Sequence, residues 1–154
     1  MYTYYIKQMN NSETELLGLD DKCLNYFSLK GNIFTAKICN VYDGDTCTVI
    51  FEYRNEFIKY KCRMMGYDCP EMKPLLSNPN RVNEISLAKE AKNRFIELIN
   101  KSPSGLVKME CFEFDKYGRL LANIYNNVDV ESVNSIMILE GHGRSYMGKH
   151  KESW

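Results

Sequence analysis

The sequence has no surplus of positive charge: 20 Lys and Arg stand against 20 Asp and Glu, a formal net charge of zero. A protein that holds nucleic acid mainly by releasing counterions carries an excess of cations. Any phosphate binding here must therefore be local, made by a few placed arginines. C-x-x-C pairs are absent, and Cys23, Cys39, Cys47, Cys62, Cys69 and Cys111 show no Cys/His spacing that would build a zinc site. They are expected as reduced thiols packed as small hydrophobes, which favours a reducing compartment. No apolar run approaches the length of a bilayer crossing, and residues 1–7 lack a charged region leading into an apolar one. The expectation is an intracellular, cytoplasmic protein with no membrane partner. Internal repeats and low-complexity tracts are absent too. What the chain does have is an ordinary apolar fraction, 44% of 154 residues, enough for one domain with a buried core.

Residues 1–31 read as an N-terminal extension. Ser12-Glu13-Thr14-Glu15 is a capping-box sequence, and Leu16, Leu17, Leu19, Leu24, Tyr26 and Phe27 follow at rough helical spacing interrupted by Gly18. A short helix packed on the main domain is expected, with a protein-interaction arm as the other reading. The main domain is placed at residues 32–147. Residues 33–41 alternate and are rich in β-branched side chains, Asp43-Gly44 reads as a hairpin turn using a positive φ, residues 46–53 form a second strand, and residues 57–65 a third. Pro70 ends that third strand, and residues 72–82, with Pro74 and Pro79, read as a surface loop.

From residue 83 to 101 the period changes to 3.6, with Ile85, Ala88, Ala91, Phe95, Leu98 and Ile99 on one face and Glu84, Lys89, Lys92, Asn93 and Glu97 pointing away. Residues 106–114 and 119–125 then make a hairpin around Asp115 to Gly118, and residues 130–139 a second helix closed by Gly141. Residues 148–154 are left as a short basic tail. Three strands, a helix, a hairpin and a helix predict an α+β protein, a five-stranded β-barrel with two or three helices on the OB-fold plan.

Three acids and two arginines end apolar segments rather than scatter over a solvated face. Asp45 and Asp68 can lie side by side at the strand ends, and two carboxylates with a carbonyl and waters suit a hard cation such as Ca²⁺. No histidine lies near, so zinc and copper fit poorly. Arg63 and Arg119 carry planar, permanent charges that can grip a phosphate and neutralise its transition state. Glu71 is left to orient or deprotonate a water. Each also has a plainer reading: Asp43, Asp45 and Asp68 as turn residues, Arg63 as an exposed rim residue, and Arg119 as a surface partner of Asp115 or Glu113.

Taken together, Asp43-Gly44-Asp45-Thr46, the stretch from Arg63 through Asp68-Cys69-Pro70-Glu71, and Asp115-Lys116-Tyr117-Gly118-Arg119-Leu120-Leu121-Ala122 resemble the staphylococcal nuclease (thermonuclease) family in order and approximate spacing. The likeness covers roughly residues 32–147. It implies that Asp45, Asp68 and the Cys69 backbone carbonyl bind a catalytic Ca²⁺, and that Arg63 and Arg119 bind the scissile phosphate. Arg119 would also favour departure of the 5′-oxygen, Glu71 would be the general base or water-orienting group, and Tyr117 would line the nucleotide site. The implied activity is cleavage of DNA and RNA, within chains and from ends, at the 5′-O–P bond to leave 3′-phosphates, by a monomer with no obligate protein partner.

The chain departs from the family in three places. Cys69 stands where a threonine is usual, the net charge is zero where studied secreted members are basic, and no further helix follows before Trp154. The N-terminal extension is the candidate to cover that side of the barrel. The alternative function is a catalytically silent OB-fold module binding nucleic acid or a protein partner, as in Tudor-linked relatives. Such relatives typically lose the acids or arginines, and here all five are kept.

Overall fold

The computed structural model describes residues 11–148 and 154; the expectations for residues 1–10 and for 149–153 of the basic tail lie outside them. In chain order the elements are α1 (Asn11–Leu17), β1 (Ile33–Val41), β2 (Thr46–Tyr53), β3 (Glu56–Met64), β4 (Tyr67–Asp68), α2 (Arg81–Asn100), β5 (Val107–Phe114), β6 (Leu120–Tyr125), α3 (Val133–Leu139) and β7 (Arg144–Ser145). β1, β2 and β3 form an antiparallel meander, β5 and β6 a hairpin. β6 then pairs with β3 in parallel and β5 with β1 antiparallel, closing a barrel in the order β1-β2-β3-β6-β5. This is the expected OB-fold plan, with element ends shifted by up to three residues.

Alternation decides the barrel's inside. Cys47, Val49 and Phe51 of β2, Val107, Met109 and Cys111 of β5, and Leu120, Ala122 and Ile124 of β6 are all buried, with partly exposed residues between them. The β2–β3 turn carries Arg54 and Asn55 at φ 53° and 64°, the mirror-image turn whose twist suits a hairpin. α2 lays Ala88, Ala91, Phe95 and Leu98 on the core. α3 is capped by Ser132, whose hydroxyl accepts from the Ser135 N–H at 3.1 Å. Buried Asn134 ties that helix to the barrel: its amide donates to the carbonyls of Met65 and Ala122 and accepts from the Ile124 N–H.

The N-terminal segment meets the barrel at Phe27, whose ring lies 6.0 Å from both Tyr53 and Phe114. Leu29 is buried, and residues 31–32 exchange backbone bonds with Cys111, extending the β1–β5 pairing. Leu16 and Leu17 of α1 are 68% and 75% exposed. All six cysteines are free thiols, and no helix among the described residues is long and apolar enough to cross a membrane.

Two readings need correction. Gly44 is not in the left-handed region, so Asp43-Gly44 is not the expected positive-φ hairpin turn. What requires glycine there is closeness: a Cβ would lie 2.6 Å from Cys69 Sγ and 2.8 Å from Ala91 Cβ, so α2 and the chain after β4 press directly on that backbone. Glu84, assigned to the solvent face of α2, is instead only 5% exposed, because the loop before the helix folds over it and donates to both of its carboxylate oxygens.

Candidate active site

One end of the meander opens into a cavity of about 1100 Å³ whose walls include Asp43, Asp45, Thr46, Arg63, Glu71 and Arg119, with Tyr42, Tyr117 and Tyr146 also on its lining. Register brings the first pieces together: Thr46 at the start of β2 faces Arg63 near the end of β3. Asp68 comes from β4, which is held by pairing with β7. The ring of Tyr67 packs against Gly143, leaving no room for a Cβ there, and its hydroxyl donates to the Gly44 carbonyl at 2.7 Å. The two acid-bearing segments are thereby tied to each other.

Arg63 is the centre of the cluster. Its guanidinium forks between two carboxylates, Nη1 to Asp45 Oδ2 at 2.7 Å and Nη2 to Asp68 Oδ1 at 2.8 Å, with all three side chains almost buried. Burial alone would lower the Arg63 pKa, but the charges of Asp45 and Asp68 and their hydrogen bonds outweigh it and raise it. Arg63 is therefore not the exposed rim residue of the plainer reading. Asp45 is shared further: Oδ1 accepts from Thr46 Oγ1 at 2.8 Å and Oδ2 from the Cys69 N–H at 3.3 Å.

Thr46 links this cluster to Arg119, whose Nη1 lies 3.4 Å from the threonine hydroxyl. Asp115 holds the other side of Arg119, accepting from its Nε at 2.7 Å and from its backbone N–H at 2.9 Å. Partial burial would raise the Asp115 pKa, but these hydrogen bonds, with one from Tyr117, hold it below the ordinary range. The Arg119 guanidinium carbon sits 5.5 Å from the Tyr117 ring centre, and that tyrosine is 73% exposed. Glu71 is exposed on the cavity wall, its backbone N–H donating to Glu84 Oε1. Cys69 is buried, its thiol donating to the His142 carbonyl at 3.3 Å. Burial, reinforced by the acids around it, pushes that thiol up, so it stays protonated and resists oxidation.

Asp43 was read as turn chemistry, yet it is buried, lies on the cavity wall and accepts from the Asp45 N–H at 3.1 Å. Its pKa is pushed from 3.8 up to about 7, first by burial and then by the charges of Asp45 and Glu71. Asp45 and Asp68 thus share one buried guanidinium and Asp43 adds a third acid beside Asp45, an excess of acidic oxygen that suits a hard cation. Among the described residues no three His, Cys, Asp or Glu side chains converge as ligands on one point, because Arg63 stands between Asp45 and Asp68.

The raised Asp43 value has a testable consequence. The folded chain binds more protons than the unfolded one between pH 3.8 and about 7, so this group makes stability fall as pH rises through that window. Asp43→Asn keeps an oxygen to accept from Asp45. In EGTA at pH 8 it is expected to raise stability by at most about 4 kcal/mol, at 1.36 kcal/mol per pKa unit. Thermal melts should show the gain shrinking to nothing near pH 4, and equal melting temperatures at pH 8 would contradict the charge excess.

A closed five-stranded barrel with a charged cavity at one end of its meander defines an OB-fold domain of α+β class. A sequence profile described as staphylococcal nuclease homologue matches residues 61–153, more than half of the chain, and the chain belongs to that family. The match takes in Arg63, Asp68, Glu71 and Arg119, while Asp43 and Asp45 precede it. Endonuclease YncB of Bacillus subtilis (strain 168) is 34% identical over 102 residues, covering 66% of this chain and 43% of that protein. The chain thus spans less than half the length of that relative.

Proposed function

We propose that this chain is a Ca²⁺-dependent nuclease that hydrolyses DNA and RNA at the 5′-O–P bond and leaves 3′-phosphate ends. The observation that carries the reading is the linked pair of guanidiniums on one cavity: Arg63 and Arg119 are joined through Asp45 and Thr46, with Glu71 on the same wall. Two planar cations on the wall of one cavity suit the oxygens of a phosphodiester. The endonuclease name of the relative agrees with it.

Asp45 and Asp68 carboxylates and the Cys69 carbonyl would hold the cation. Once bound, it supplies Lewis-acid polarisation of a phosphoryl oxygen. Arg119, clamped by Asp115, presents the rest of its guanidinium to the phosphate and offsets charge on the departing 5′-oxygen. Arg63 binds a non-bridging oxygen of the same phosphate. Glu71, a solvent-accessible carboxylate, takes the proton from the attacking water. Tyr117 flanks Arg119 and offers an exposed ring to the nucleotide. The substrates are DNA and RNA, and the acting unit is a monomer that needs no obligate protein partner.

The test is release of acid-soluble nucleotides from denatured DNA and from RNA at mildly alkaline pH, with Ca²⁺ against EGTA, followed by end-group analysis. Release that needs Ca²⁺ and yields 3′-phosphates is expected. A folded chain that binds DNA and releases nothing would replace the nuclease by the silent binding module.

A further inference from the structure

Behind the site lies a second buried acid that the proposed chemistry does not use. Glu84 lies in the first turn of α2 and is 5% exposed, although its position on the helix was expected to face water. Oε1 accepts from the Glu71 backbone N–H at 3.1 Å, and Oε2 accepts from Asn78 Nδ2 at 2.6 Å. Both partners are neutral N–H donors. A carboxylate is rarely buried without a cation, and its place at the helix N-terminus is one compensation.

The rest of the loop explains the other. Asn78 is itself fixed: its Oδ1 accepts from the Asn80 N–H at 2.8 Å, and its backbone N–H donates to the Leu75 carbonyl at 3.0 Å. Arg81 closes the far side, its Nε donating to the Pro74 carbonyl at 3.3 Å. Residues 71–78 are therefore a loop whose two ends are joined through one side chain, Glu84. One of those ends is the main chain of Glu71.

We infer that Glu84 is a positioning residue that fixes the Glu71 backbone and so sets where the Glu71 carboxylate stands over the cavity. It touches neither substrate nor cation. The inference rests on the reading of Glu71 as the group that takes the water's proton. A carboxylate suits the task because both of its oxygens accept, one for each end of the loop.

The donor and acceptor pattern permits a reciprocal test. Glu84→Gln keeps an oxygen for the Glu71 N–H but turns an NH₂ toward the Asn78 NH₂, and Asn78 cannot reverse its amide without losing the Asn80 bond. Asn78→Asp instead sets two carboxylates against each other. The double variant Glu84→Gln/Asn78→Asp restores a donor facing an acceptor, with an oxygen left for each backbone N–H.

Two readouts are taken on all four proteins in the presence of Ca²⁺: kcat and KM on denatured DNA, and hydrogen exchange at the Glu71 amide. Each single variant is expected to lower kcat by about tenfold to a hundredfold with KM unchanged, the size of effect a displaced catalytic group produces. The Glu71 amide should exchange faster in both, and the double variant should recover kcat and protection together. Single variants with faster exchange but wild-type kcat would overturn the inference. A wild-type protein with no hydrolysis would sink the nuclease reading instead. The exchange arm would then decide the clamp alone: protection restored in the double variant upholds it, and equal protection in all four proteins overturns it.

Discussion

Glu71→Ser is expected to lower turnover by about 10²–10⁴, the usual worth of a positioned general base, while folding and Ca²⁺ affinity stay near those of the wild type. The side chain is exposed, so removing it opens no cavity in the core. The backbone N–H at this position donates to Glu84, a bond that serine retains. Asp45 and Asp68 do not depend on Glu71 for the bonds that hold them to Arg63. Loss should therefore fall on kcat, with KM for denatured DNA little changed. Isothermal titration with Ca²⁺ and steady-state kinetics on the same preparation separate the two. A variant that loses Ca²⁺ binding in proportion to its rate would make Glu71 a ligand rather than a base.

Arg63→Ala is expected to be worse for the molecule as a whole. The guanidinium is the cation between two nearly buried carboxylates, and removing one partner of a buried pair costs about 3–5 kcal/mol because the charge left behind is unpaired. Here two acids lose the same cation. Thermal melts in EGTA should fall by many degrees, and added Ca²⁺ should restore part of the loss by binding the folded state alone. Arg63→Lys should rescue little, since a point charge on a flexible stem cannot fork to Asp45 and Asp68 at once. Nucleic acid hydrolysis should be lost in both. A wild-type melting temperature for Arg63→Ala in EGTA would mean that the ion pairs contribute nothing.

The same fork bears on how substrate and cation would share the cavity. In the structure Arg63 gives one terminal nitrogen to each acid, so a cation at Asp45 and Asp68 competes with it for the same oxygens. Were Asp45 and Asp68 to hold a cation, the Arg63 guanidinium would be left to pair with phosphate. The linked Arg119 keeps Asp115 as its own anchor, which lies outside that exchange.

The barrel could be read from the chain because its evidence is local. β1 and β2 occupy the expected residues, and the α2 face with Ala88, Ala91, Phe95, Leu98 and Ile99 is buried as its spacing requires. Periods of two and 3.6 belong to the backbone itself, so they survive without knowledge of any partner. The acids and arginines were visible as types for a similar reason: each sits where an apolar segment ends.

Partnership was not visible. Glu84 looked like a solvated helix residue, because a Glu between apolar neighbours usually is one. Its burial depends on Asn78 and Glu71, brought onto it by a loop that no period describes. Asp43-Gly44 looked like a turn for the sake of φ. Its glycine answers instead to Cys69 and Ala91, 25 and 47 positions further along the chain.

By itself, then, the sequence determined the succession of barrel strands along the chain, the principal helix and the set of charged residues, since these follow from covalent spacing and the preferences of single side chains. Only the tertiary structure decided which charges are neighbours. Arg63 lies between Asp45 and Asp68, Thr46 joins Asp45 to Arg119, and Asp43 is driven into a crowded acid pocket. Electrostatic energy depends on distance and burial, and both are set when barrel closure brings distant segments together.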